Sequence, residues 1–209
     1  MISIKKFAWL LLLGSCFVSC RKDTYNAQPS YGYQNEFNDD FNADTHNWSF
    51  SDPADSAFVS INNGYLDYYY NPPLKGSNTV AIDIGLNINY NFTLATSIQS
   101  NNVMGLAFGV SNAVYGYAFM VDNNGNFALY NEGSASVQPQ AILDWQSNPA
   151  VKINTWNTLE IDQVGSAWQG YINGTKVFDM QSQPLSGTKI GFIVLNGTEG
   201  YADYLTAQW

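Results

Sequence analysis

Glu160 and Asp162 are the two side chains in this sequence best spaced for acid–base or nucleophilic work. On a β-strand residues i and i+2 project from one face, so the carboxylates in Asn157-Thr158-Leu159-Glu160-Ile161-Asp162 would stand side by side. Paired carboxylates are the machinery of glycosidic-bond cleavage. The same alternation turns Leu159 and Ile161 inward, which gives the acids a plainer reading as the wet face of a half-buried strand. His46 is the single histidine of the 209 residues. It stands among Asp44, Thr45, Asn47 and Trp48 and reads as an exposed loop residue. There is no Gly-x-Ser-x-Gly elbow, zinc spacing or phosphate-binding loop, so neither a nucleophile-and-base set nor a multi-histidine metal site is visible.

The aromatic residues offer a different chemistry. Tyr and Trp rings stack on the apolar face of a pyranose, and Asn, Asp and Gln pair with its hydroxyls. In Gly64-Tyr65-Leu66-Asp67-Tyr68-Tyr69-Tyr70, alternation places Leu66, Tyr68 and Tyr70 on one face and Tyr65, Asp67 and Tyr69 on the other. If Leu66 marks the core, the second set is available to a ligand. Trp145, Trp168 and Tyr171 are further candidates of the same kind. Each of these rings also has an ordinary reading as sandwich core.

Composition narrows the partners. With 45% apolar, 15% aromatic and 12% charged residues, the chain has the makings of one ordered domain. The formal charge is −9, and from Tyr31 onward the only bases are Lys75, Lys152, Lys176 and Lys189. Nothing there would neutralise a run of phosphates, which argues against nucleic acid and anionic lipid surfaces as partners.

The chain opens with Lys5 and Lys6, an apolar stretch from Phe7 to Leu13, and then Gly14-Ser15-Cys16-Phe17-Val18-Ser19-Cys20. A bilayer-spanning helix needs about 20 apolar residues, so this stretch reads as a secretory signal. Small residues before a cysteine resemble the lipobox of bacterial lipoproteins. Leu13-Gly14-Ser15-Cys16 fits at its first position. Cys20 is favoured because Cys20-Arg21-Lys22-Asp23 looks like the mature start of Bacteroidetes lipoproteins. The expected division is a signal over residues 1–19, a lipidated Cys20 and polar tether over 20–35, and a domain over 36–209. The resemblance implies an outer-membrane lipoprotein of the cell envelope, touching membrane through the lipid alone. No cysteine follows Cys20, so the domain must be stable through its core.

From Glu36 onward no helical period is sustained, while β-branched and aromatic residues alternate with polar ones between Asn, Gly and Asp clusters. Asn63-Gly64, Asn124-Gly125 and Asn173-Gly174 each fall between two such runs and predict tight hairpins. About a dozen strands are too many for one open sheet, so two packed antiparallel sheets are expected.

Tyr117 to Tyr130, Leu143-Asp144-Trp145, Asn157 to Ile161, Tyr171-Ile172-Asn173-Gly174 and Gly187 to Phe192 resemble, in that order, the concanavalin A-like lectin/glucanase superfamily. This is an all-β jelly-roll sandwich that includes laminin G-like modules, family 16 glycosidases and 3-keto-disaccharide hydrolase domains. Asp39-Asp40-Phe41 and Ala202-Asp203-Tyr204-Leu205 fit its adjacent first and last strands. The resemblance implies fold more than function, since one sandwich hosts enzymes, lectins and structural modules. Family 16 enzymes carry Glu-x-Asp-x-(x)-Glu, whereas Gln163-Val164-Gly165 follow Asp162 here, so the third carboxylate is missing. Many relatives hold a structural calcium near the chain ends, for which Glu36, Asp39, Asp40 and Asp203 are the candidates; they read equally as solvated strand ends. The expectation is a lipid-anchored domain that binds a neutral glycan without cleaving it and needs no cofactor beyond that calcium. A hydrolase and a structural or adhesive envelope module are the alternatives.

Overall fold

The computed structural model describes residues 32–54, 56–73 and 75–209. The signal, Cys16, Cys20 and most of the expected tether lie outside the described residues. The strands are β1 (Glu36–Asp39), β2 (Phe50–Ser51), β3 (Ala57–Asn62), β4 (Tyr65–Tyr70), β5 (Ser77–Asp83), β6 (Phe92–Ser100), β7 (Met104–Val110), β8 (Tyr117–Val121), β9 (Asn126–Asn131), β10 (Gln140–Ser147), β11 (Asn157–Val164), β12 (Ala167–Ile172), β13 (Thr175–Gln181), β14 (Lys189–Leu195) and β15 (Thr198–Gln208). No helix occurs among the described residues.

Local chemistry explains the turns. Asn63 and Gly64 have φ of 53° and 79°, and Asn173 and Gly174 have 50° and 76°. That left-handed pair suits a two-residue hairpin, because its twist matches the flanking strands. At the third hairpin only Gly125 has positive φ, and the Asp122 carboxylate holds the turn by accepting from the backbone N–H of Asn124 and Asn126.

All pairings are antiparallel and form two sheets. The larger runs β13-β12-β11-β6-β15-β4-β3-β2, with β1 also on β15; the smaller runs β10-β9-β8-β7-β14-β5. β15 is the seam of the larger sheet. One edge pairs with β6, while the other gives Thr198–Ala202 to β4 and Leu205–Gln208 to β1. The register against β6 shifts at Asp203. Backbone bonds from Gln34 and Asn35 to the Trp209 carbonyl, and from Trp209 back to Asn35, extend the β1–β15 pairing into residues whose composition reads as tether.

The two sheets bury Leu94, Leu159, Ile161, Leu66 and Leu205 on one side against Leu106, Phe119, Leu129 and Phe192 on the other. β11 shows the expected alternation, with Leu159 and Ile161 buried and Glu160 and Asp162 on the outward face. The smaller sheet differs from the expected half-wet pattern. Its outward face carries a second apolar cluster of Val103, Ala107, Val110, Ala118, Met120 and Ile193. With both faces apolar, β7, β8 and β14 read as nearly continuous apolar runs.

Candidate functional site

A cleft of about 580 Å³ opens on the outward face of the smaller sheet. Met120, Val103 and Leu195 give it apolar surface, and Tyr130 of β9 and Trp145 of β10 contribute the rings. Trp145 reaches this face through an irregular strand: the β10–β9 register shifts between Ala141 and Leu143 and again between Leu143 and Gln146. Bulges of this kind re-aim side chains beside sites.

The polar groups come from strand ends. Ser77 Oγ donates to Glu132 Oε2 at 3.2 Å. Burial raises the Glu132 carboxyl above its ordinary pKa, against a smaller opposing pull from Ser77. The Tyr130 hydroxyl donates to Asp144 Oδ1 at 3.2 Å, and the same oxygen accepts the Trp145 N–H at 2.8 Å. Burial, then the Asp144 bond, then the charges of Asp144 and Glu132 raise the Tyr130 hydroxyl's pKa. Asn102 Nδ2 donates to the Asn196 carbonyl at 3.0 Å. Asn196 Oδ1 is buried with no hydrogen-bond donor, a costly arrangement for a polar atom. Two rings beside apolar surface, edged by Lys75, Ser77, Asn102, Glu132 and Asn196, suit a ligand with one apolar face and a rim of hydroxyls.

The six candidates of the sequence fall in three places. Trp145 alone lines this cleft. Trp168 corrects the expectation of an accessible ring: it is fully buried, set edge-on to Phe108 and Tyr117, and its Nε1–H donates to Gln163 Oε1 at 2.9 Å. Its strand neighbours at i+2 and i+4, Gly170 and Ile172, are buried too, and Ile172 was the signal that marked that face as core. Tyr65, Asp67 and Tyr69 share the outward face of the larger sheet. Tyr65 stacks on Trp156 at 5.5 Å and Tyr69 on Phe58 at 5.2 Å. Asp67 lies opposite Ser60 and Tyr201, with Oδ1 buried and without a donor; burial and then the Glu199 charge raise its pKa. Tyr171 is on the same sheet but separated from β4 by β11, β6 and β15.

The remaining acids have structural places. Asp162 accepts from Thr93 Oγ1 at 2.7 Å, and burial raises its pKa. Buried Asp39 faces inward, meeting the Phe41 N–H, Trp48 Nε1–H and His46 Nδ1 at 3.0, 2.8 and 2.7 Å. His46 is an exposed turn residue, as its sequence context predicts, and the Asp39 carboxylate holds its ring. Glu36 is exposed on β1, Asp40 accepts from Asn42, and Asp203 sits at the β15 register shift. Among the described residues no three His, Cys, Asp or Glu side chains group closely enough to hold a metal. Tyr130, Glu132 and Asn196 had no motif to announce them. The signal for their face was the absence of polar alternation in Tyr117–Val121 and Lys189–Leu195.

No family model matches the chain, and none of the curated proteins does. Among solved structures it is similar to the carbohydrate-binding module CBM66 from Bacillus subtilis, at 14% identity and a TM-score of 0.51, over 77% of this chain and 91% of that one. The fold is an all-β jelly-roll sandwich of two antiparallel sheets. A sialidase superposes at a TM-score of 0.49 and 13% identity, over 76% of this chain and 16% of its own. A galectin of Caenorhabditis elegans gives 0.43 and 15%, over 68% and 94%. At 14% identity the likeness to the carbohydrate-binding module is one of fold.

Proposed function

We propose that the domain binds a neutral glycan in the cleft of the smaller sheet and does not cleave it. The observation that carries this reading is the placing of the Trp145 and Tyr130 rings in one cleft with the apolar surface of Met120, Val103 and Leu195 and the polar side chains of Ser77, Asn102 and Asn196. The rings offer stacking, and the polar side chains offer partners to a sugar's hydroxyls. Likeness in fold to a carbohydrate-binding module supports the reading. Stacking and hydrogen bonds supply the affinity, so binding is insensitive to salt.

A glycan array followed by titration tests this. Trp145→Ala is expected to weaken binding by about 1–3 kcal/mol, by analogy with other aromatic stacking contacts, which is roughly a five- to hundredfold loss. Retained affinity in both Trp145→Ala and Tyr130→Ala, with the fold intact by thermal unfolding, would remove the site from this cleft. Release of reducing ends that stops in Glu132→Gln would turn the reading into a hydrolase.

The second part of the proposal is the address: export on the signal over residues 1–19 and anchoring in the cell envelope through a lipid on Cys20. The cysteine sequence context supports it, and an acyl chain supplies membrane affinity in proportion to its buried length. Cys20→Ser is expected to move the protein from the membrane fraction to the soluble fraction. Release by Cys16→Ser instead would reassign the cysteine, and release by neither would end the lipoprotein reading.

A further inference from the structure

We propose that a second saccharide site, selective for uncharged rings, lies at the end of the sandwich where Gly32–Asn35 meet Trp209. The pocket there measures about 460 Å³ and shares no residue with the cleft. It is framed by Gln34, Asn87, Asn89, Tyr90, Asn91 and Trp209, and none of its lining side chains is charged. In a chain with a formal charge of −9, that neutrality is a chemical specification. An ionic ligand entering it would give up water and meet no charged side chain in the lining.

The loop from Asn87 to Asn91 is fastened by one half of its polar groups and leaves the other half free. Asn87 Oδ1 accepts the Asn89 N–H at 3.2 Å, and Asn91 Oδ1 accepts the Gly165 N–H at 2.8 Å. Among the described residues the Nδ2 groups of Asn87 and Asn91 have no partner, and neither has the side-chain amide of Asn89 or Gln34. Each free amide both donates and accepts or stands ready to donate, which is the complement of a hydroxyl. Tyr90 at their centre is 66% exposed, the most exposed large apolar side chain among the described residues.

That ring is exposed without being loose at its root. The Tyr90 N–H donates to the Asn87 carbonyl at 3.2 Å, and the Tyr90 carbonyl accepts Gln163 Nε2 at 2.9 Å. Gln163 is buried, and its Oε1 takes the Nε1–H of Trp168. A chain of hydrogen bonds thus runs from a core tryptophan to the backbone under the exposed tyrosine, and a pre-set platform loses less freedom on binding. A flat exposed ring beside free amides, with no charged side chain in the lining, fits a neutral pyranose.

The test uses the full chain and four neutral probes, cellotetraose, laminaritetraose, mannotetraose and tetra-N-acetylchitotetraose, with tetragalacturonate as the charged comparison. Titrations are run on the Trp145→Ala protein, so that the cleft and this pocket are read separately. At least one neutral probe is expected to bind Trp145→Ala and to shift the side-chain amide NMR signals of Asn87, Asn89 and Asn91, while tetragalacturonate does not. Adding Tyr90→Ala should weaken that binding roughly tenfold or more, and adding Asn89→Ala should weaken it less. Tyr90 is exposed, so its loss should leave the thermal midpoint in place. Failure of all four probes to bind Trp145→Ala would overturn the proposal, as would binding unchanged by both added substitutions. Loss of the cleft reading alone would appear as a Trp145→Ala protein indistinguishable from the parent.

Discussion

Trp168→Ala is expected to destabilise the domain by about 3–5 kcal/mol, the usual cost of deleting a large core aromatic. The ring is fully buried, with Phe108 and Tyr117 edge-on at 5.2 and 4.7 Å, so two rings of the facing sheet lose contact at once. Its N–H also leaves, and Gln163 Oε1 is then buried without a donor, which accounts for about 1–3 kcal/mol. Trp168→Phe separates the two parts: it keeps much of the volume and should show mainly the hydrogen-bond loss. Urea unfolding of the two variants measures both. An unchanged denaturation midpoint in Trp168→Ala would mean that the ring is not core, and would restore it as a ligand-binding candidate.

Asp39→Ala is the second large effect, at about 2–5 kcal/mol. The carboxylate is buried and gathers the Phe41 N–H, the Trp48 indole N–H and His46. Trp48 is itself buried, so its N–H would have no water to turn to. Phe41 sits at φ 55°, a conformation that bulky residues rarely adopt, and the Asp39 Oδ1 bond to its N–H helps hold it there. His46→Ala should cost under about 1 kcal/mol, because the imidazole is half-exposed and its contact with Asp39 lies at the solvent edge. Equal losses in Asp39→Ala and His46→Ala would show that the histidine contact, not the internal donors, is what matters.

What the sequence revealed follows the range of the forces involved. The Asn63-Gly64 and Asn173-Gly174 hairpins were legible because the turn conformation is decided by the two residues themselves. β11 was legible because one face is apolar and the other charged, and Leu66 and Tyr68 point inward as alternation required. The smaller sheet was harder, since an apolar run such as Tyr117–Val121 does not say which residues face in. Trp145 illustrates the limit: its direction is set by the irregular pairing of β10 with β9, a property of two strands together. Glu132 and Asn196 lie just beyond β9 and β14, whose ends point opposite ways in the sheet, and a contact such as that of Ser77 with Glu132, between residues far apart in the chain, has no local signal. Trp168, by contrast, could have been read as core from Ile172 on the same face.

The position of β15 has a consequence for the time course of folding. A chain made or threaded from its N-terminus has fourteen of the fifteen strands before the seam exists. Until Thr198–Gln208 arrives, β4-β3-β2 and β13-β12-β11-β6 are two separate half-sheets, and β1 has no partner. The closing pairs, Glu36 with Gln208 and Phe37 with Ala207, join opposite ends of the domain. Contacts so distant in sequence place the fold among slow folders, on the order of milliseconds to seconds. Throughout that interval the open edges of β6 and β4 are templates for pairing with other chains. A truncation that removes β15 would therefore take out the middle of the larger sheet, and the remaining strands would be left with sticky edges rather than a smaller sandwich.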